Sequence, residues 1–314
     1  MNARIIHCLF LLVNVLLSGH LLRGQESLPI IDCHVHLYDI SRPEITWPPK
    51  GHPVLYRSFL PKNHMPICEK NGVVGVVVVL AGQAIEDNQW NLDVTAPHKK
   101  LYRGVVGNLS TVIGTDEFEE LFRRLCQNER YVGYRLSGKQ TPLNAEFFQN
   151  LRLTAQENRT VDILLGQYTL KEVDTIATKV PNLKIIIDHL GGVRLGEDAL
   201  DPQWKEDMVK VAKHPNVFCK LSALYGRFKE QPAPLQLSAY SYAIDVAYEA
   251  FGEDRLIYGS DWPVTEQTAD YQSALALTQE YLATKSKAAR RKIFHDNAIL
   301  FYGIPDLEKA KGTP

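Results

Sequence analysis

The chain of 314 residues predicts an α/β fold, a (β/α)8 TIM barrel, on three observations. Eight short β-rich runs recur along it, each followed by a segment compatible with helix. Several of these runs are continuously apolar, as parallel strands covered on both faces require. The length suits a barrel that runs as a single domain.

Taken in order, the first run, LPIIDCHVHL, ends on two histidines. The connection after it, residues 38–64, is rich in Pro and aromatics and too long for an ordinary βα loop. It is expected to fold over the C-terminal face of the barrel. VVGVVVVL and LYRGVVGNL are the second and third runs, and residues 115–128 read as a helix with acids in its first turn. YVGYRLS is the fourth, followed by a helix over 144–158 that opens on Asn144 as N-cap. VDILLG and LKIIIDHL are the fifth and sixth, with a helix over 202–214 that carries Pro202 at its start. NVFCKLS is the seventh; the connection 223–238 after it is a second candidate lid. RLIYGSD is the eighth, and residues 269–284 and 287–294 close the pattern as helices. No internal repeat, low-complexity tract or second domain interrupts it.

Apolar residues make up 45% of the chain and charged residues 23%, enough to bury a large core. With 35 basic against 36 acidic residues, no strong field collects phosphates, which excludes nucleic acid as a partner. Residues 1–24 have the layout of a signal peptide: Arg4, an apolar stretch from Cys8 to Leu17, then small and polar residues. Cleavage is expected between Ser18 and Gln25, leaving one domain over 25–314 that is secreted or periplasmic. The apolar stretch is short for a membrane span, so no stable insertion is expected once it is removed. Four cysteines then remain, Cys33, Cys68, Cys126 and Cys219. They are read as small buried hydrophobes, two disulfides being the alternative.

Catalytic groups of such barrels sit at the C-terminal ends of strands. Those ends supply His34 and His36, Arg135, Gln167, Asp188 and His189, Lys220, and Asp261. The i, i+2 spacing of His34 and His36 turns both rings to one side of a strand, where they can converge on one atom. His189 precedes two glycines that permit close approach of a substrate; Asp188 is as readily structural. Asp261 can bind a metal or take a proton from water. Arg135 is a candidate substrate contact, and Lys220 either another or half of a salt bridge. Trp262 beside Asp261, and Trp47 and Tyr56 in the first long connection, are aromatic candidates for packing on a substrate. His52, His64, His98 and His214 lack partner motifs and read as exposed or capping.

DCHVHLYD, GVVGNL, YVGYRLSG, IIIDHLGG, NVFCKLSAL, GSDWPV and IFHDNAILFYG stand in the order and approximate spacing of the amidohydrolase-related (amidohydrolase 2) family. Within it the chain most resembles the branch of sugar-acid lactonases and 2-pyrone-4,6-dicarboxylate lactonase. The resemblance covers nearly the whole mature chain and implies a distorted barrel that hydrolyses a lactone or ester. It matches Asp261 to the aspartate that activates water, His34 and His36 to the strand-one pair, His189 to the strand-six histidine and Arg135 to a contact with an acidic substrate. The family's metal-dependent members also place a histidine at the end of strand five, where this sequence has Gln167. A binuclear centre is therefore not expected. His34, His36 and Asp261 suffice for one Zn²⁺ or Mn²⁺. The preferred reading requires no metal: the histidines and Arg135 polarise the carbonyl of an acidic or polyhydroxylated lactone. The alternatives are a metal-dependent decarboxylase and a non-catalytic carbohydrate-binding barrel.

Overall fold

All eight β-rich runs form strands in the computed structural model, which describes residues 28–138, 141–196 and 200–307. The leader and its cleavage region lie outside the described residues. The strands are β1 (Ile30–Val35), β2 (Val73–Val79), β3 (Tyr102–Asn108), β4 (Tyr131–Leu136), β5 (Thr160–Ile163), β6 (Lys184–Ile187), β7 (Val217–Leu221) and β8 (Leu256–Tyr258). They form one parallel sheet in sequence order. The ring closes just past β8. There the Asp261 amide donates to the His34 carbonyl at 2.8 Å, and the His36 amide to the Trp262 carbonyl at 2.8 Å. Gly259 permits this closure, because a Cβ there would lie 2.6 Å from His34 Cβ.

The helices expected over 115–128, 144–158, 202–214 and 269–284 form with their ends trimmed, and four further helices stand beside them, the first beginning inside the connection 38–64. They are α1 (Pro61–Asn71), α2 (Glu86–Thr95), α3 (Glu117–Cys126), α4 (Ala145–Gln156), α5 (Leu170–Lys179), α6 (Pro202–Val211), α7 (Ser241–Phe251) and α8 (Tyr271–Leu282). Asn144 caps α4 by accepting from the Phe147 amide at 2.9 Å, and Asp201 caps α6 by accepting from Gln203. Such caps contribute about 1 kcal/mol each. Phe118, Leu121, Phe122 and Leu125 form the buried stripe of α3, at helical spacing. After α8, Lys287–Arg291 leads through a π-helical turn at Lys292–Asp296 into Asn297–Tyr302.

Apolar side chains divide into two clusters. The larger lies between the sheet and its helices. The smaller gathers Ile31, Cys33, Val77, Val79, Val106, Ile186 and Ile257 with Phe301 and Tyr302 of the last helical segment. Each fully buried aliphatic or aromatic side chain contributes roughly 1.5–3 kcal/mol, so the ring stands without help from disulfides. Cys33, Cys68 and Cys219 are buried free thiols and Cys126 a half-buried one, in keeping with the preferred reading.

His64 departs from its expected exposed role. It lies on α1, fully buried, stacked on Trp262 at 4.6 Å between ring centroids and 3.3 Å from the Tyr102 hydroxyl. Its ring neighbours come from β3 (Tyr102), the segment after β8 (Trp262) and α8 (Tyr271), which its own segment does not reveal. Burial pulls its pKa down to about 3. The folded state thus favours the neutral ring: this stabilisation is complete above pH 6.5 and is lost as pH falls toward 3. Acidification from pH 7 to pH 5 is expected to cost about 2 kcal/mol through this group. Denaturant titrations over that range check it, and His64→Gln should lose that share of the slope.

Candidate active site

β1 delivers both histidines to the C-terminal mouth of the barrel. Their rings meet edge to face at 5.0 Å. Asp261 reaches them from just beyond β8, with Oδ1 3.2 Å from His36 Nε2 and 3.6 Å from His34 Nε2. His189 follows β6, its ring 4.4 Å from that of His34 and its Nδ1 2.8 Å from Ser222 Oγ. Local backbone places these groups at some cost. His189 (φ 55°), Leu190 (φ 52°), Gly191 and Gly192 wind a left-handed turn, and Asp261 has φ 61°. A non-glycine residue in this region costs roughly 1–2 kcal/mol, and such strain concentrates at functional sites.

Electrostatics assign protonation states. Burial would raise the Asp261 carboxyl, but His189, His36 and His34 outweigh it and hold the group below the ordinary carboxylate range. Burial lowers His189 to about 3, so the charged ring that depresses Asp261 exists only in acid; near neutral pH the contact with His36 Nε2 favours the carboxylate. His36 Nδ1 lies 2.7 Å from the Val79 carbonyl, which can only accept. That nitrogen therefore carries a proton, and Nε2 faces Asp261 Oδ1. A ring nitrogen and a carboxylate oxygen at 3.2 Å call for a proton or a cation between them.

His34 Nε2, His36 Nε2 and Asp261 Oδ1 converge as a candidate cation site. All three residues are buried, their ligand atoms lie within 4.8 Å of one another, and His34 Nε2 has no hydrogen-bond partner among the described residues. Separations of 3.2 and 3.6 Å suit ligands about 2.0–2.2 Å from one tetrahedral ion. The donor set fits a single divalent cation.

Beneath the site lies a layer of buried charge. The Lys220 ammonium, fully buried, hydrogen-bonds Asp162 of β5 and lies 3.1 Å from Asp188 Oδ1 and 3.2 Å from His34 Nδ1. Asp188 Oδ2 faces Arg135 Nε at 3.3 Å, and Tyr302 donates its hydroxyl to Asp162 at 3.1 Å. Of the two readings left open for Lys220 the structure shows the salt bridge, and Arg135, expected to contact substrate, faces Asp188 within the barrel. Trp262 is also withdrawn: its ring is buried between His64 and Phe59, and its Nε1 donates to Glu266 at 2.7 Å. Gln167 is exposed in the turn after β5, which ends at Ile163. Trp47 does approach the site, its ring 5.7 Å from His36 and 5.0 Å from Tyr38.

Two groups escaped the sequence reading. Asp162 carried a usable signal, since a carboxylate in an apolar strand needs a buried partner. Arg227 carried none, being one arginine in a long connection. That connection is tied down by paired backbone bonds between Leu195 and residues Arg227 and Lys229, at 2.8 and 3.0 Å. Arg227 lines a cleft of about 400 Å³ together with Asp261, Tyr225, Gln231, Gln267 and Thr268, and its buried Nε has no hydrogen-bond partner among the described residues.

A family model described as amidohydrolase matches residues 31–304. The chain is 29% identical over 283 residues to L-fucono-1,5-lactonase of Burkholderia ambifaria, covering 87% of this chain and 95% of that protein. Among solved structures, an amidohydrolase from Burkholderia multivorans with bound zinc superposes with a TM-score of 0.77 at 22% identity, over 89% of this chain and 100% of that one. A probable 2-pyrone-4,6-dicarboxylic acid hydrolase from Acinetobacter baumannii, with citric acid bound, gives 0.70 at 19% identity over 87% and 99%.

Proposed function

The chain belongs to the amidohydrolase family, and from that premise we propose that it is a lactonase opening the ring of a sugar-derived acid. The observation that carries this reading is the convergence of Asp261, His34 and His36 at the head of a cleft that also contains Arg227. The curated relative, whose named substrate is an aldonolactone, supports the same class.

In this reading Asp261, held ionised, takes a proton from a water that adds to the lactone carbonyl carbon. Charge gathering on the carbonyl oxygen is met by a donor from Arg227, and in the metal-free arrangement by His34 Nε2–H as well. Collapse breaks the bond to the ring oxygen, and the proton on Asp261 passes to that oxygen, giving the open hydroxy acid. Trp47 offers a ring face beside His36 to the sugar carbons. A divalent cation held by His34, His36 and Asp261 would supply Lewis acidity and a more acidic water. We favour that arrangement over the metal-free one, because two imidazole nitrogens and a carboxylate oxygen already stand at ligand spacing.

Hydrolysis assays over aldono-1,5- and 1,4-lactones test the function; if every one opens no faster than its background rate, the proposal fails. Arg227→Met is expected to lower kcat/KM roughly 10- to 100-fold, the worth of a charged hydrogen bond. Metal analysis of purified protein should find about one equivalent of zinc or manganese per chain, with activity lost on chelation. Full activity in metal-free protein would restore the metal-free mechanism. We further propose that the leader is removed and the enzyme acts outside the cytoplasm; mature protein whose sequence began at Met1 would refute this.

A further inference from the structure

Asp162, Lys220, Asp188 and Arg135 form a closed ionic layer that none of the mechanistic steps uses. All four are nearly inaccessible to water. Such groups pay several kcal/mol each in lost hydration, and a well-packed apolar set would hold the barrel at least as well. They meet the site at His34 and, through Asp188, beside His189. The His34 Nδ1 lies between two competing partners, the Lys220 ammonium at 3.2 Å and Asp188 Oδ1 at 3.5 Å. These demand opposite tautomers: an ammonium only donates, so Nδ1 must be bare, whereas a carboxylate only accepts, so Nδ1 must carry the proton. The ammonium is closer and within ordinary hydrogen-bond range, while the carboxylate is at its outer limit. Asp162 holds Lys220 in this position, itself held by Tyr302 from the last helical segment.

We propose that Lys220 is a positioning residue that sets the tautomer of His34, placing its proton on Nε2 and so restraining the affinity of the His34, His36 and Asp261 site for a cation. With Lys220 donating to Nδ1, Nε2–H points toward Asp261, 3.6 Å away. A cation then gains His34 as a ligand only when the proton crosses to Nδ1 and Asp188 accepts it. This tautomer belongs to the metal-free chain and is independent of the substrate.

Nitrogen-15 NMR of histidine-labelled, metal-free full chain tests it, with His34 identified by the signals lost in His34→Gln. The wild type should carry the His34 proton on Nε2, and Lys220→Met should move it to Nδ1. Zinc affinity, measured by competition with a chromophoric chelator, should rise roughly 10-fold in Lys220→Met and fall roughly 10-fold or more in Asp188→Asn. A purely structural Lys220 would lower affinity in both variants, and that result overturns the proposal. So does a wild-type proton on Nδ1, a measurement that needs no folded variant. Lactone turnover enters none of these readouts, so failure of the lactonase reading leaves the test intact.

Discussion

Asp261→Asn is expected to lower kcat/KM for lactone opening by about 10²–10⁴-fold while leaving the fold intact. An amide neither accepts a proton from water nor supplies the negative charge that a cation needs. The substitution suits the backbone, because at φ 61° asparagine is among the few side chains that adopt the left-handed region readily. It also removes a buried charge. Thermal unfolding should therefore show a midpoint at or above that of the wild type, and initial rates on the best lactone should collapse. Activity within tenfold of wild type in a folded Asp261→Asn protein would remove Asp261 from the chemistry.

Asp32→Ala is expected to cost stability more than any single change at the mouth, about 3–5 kcal/mol. Asp32 is fully buried. Its Oδ1 accepts from the His34 amide at 3.1 Å and the Ser260 amide at 2.9 Å, and its Oδ2 accepts from the Tyr271 hydroxyl at 2.9 Å. One carboxylate thus joins β1, the segment after β8 and α8 where the barrel closes. Alanine would leave three buried donors unsatisfied. Asp32→Asn keeps an acceptor for both amides and should recover much of the loss. Urea unfolding of the pair checks the order, and an alanine variant within 1 kcal/mol of wild type would show that the closure does not depend on this group.

Much of this arrangement was legible because it is written locally. Val73–Val79 cannot be other than a doubly covered strand, since a run of valines with one glycine has no polar face to show to water. Asn144 and Asp201 announced their helices because a cap acts within three residues. The pair at His34 and His36 was visible because a strand repeats every two residues. Gln167 misled because the strand before it ends at Ile163, and a run of apolar letters does not mark where the ladder bonds stop.

By itself, then, the sequence determined the barrel, the order of its strands and the ends at which Asp261, His189 and the two histidines lie. Periodicity, capping and turn chemistry act over a few residues and can be read from them. Only the tertiary structure decided which charges meet: Lys220 with Asp162, 58 residues earlier, and with His34, 186 residues earlier. It also placed Arg227 in the Asp261 cleft and turned Trp262 inward. An ion pair forms where folding excludes water and brings opposite charges within a few ångströms, and that proximity exists only once all eight strands have closed.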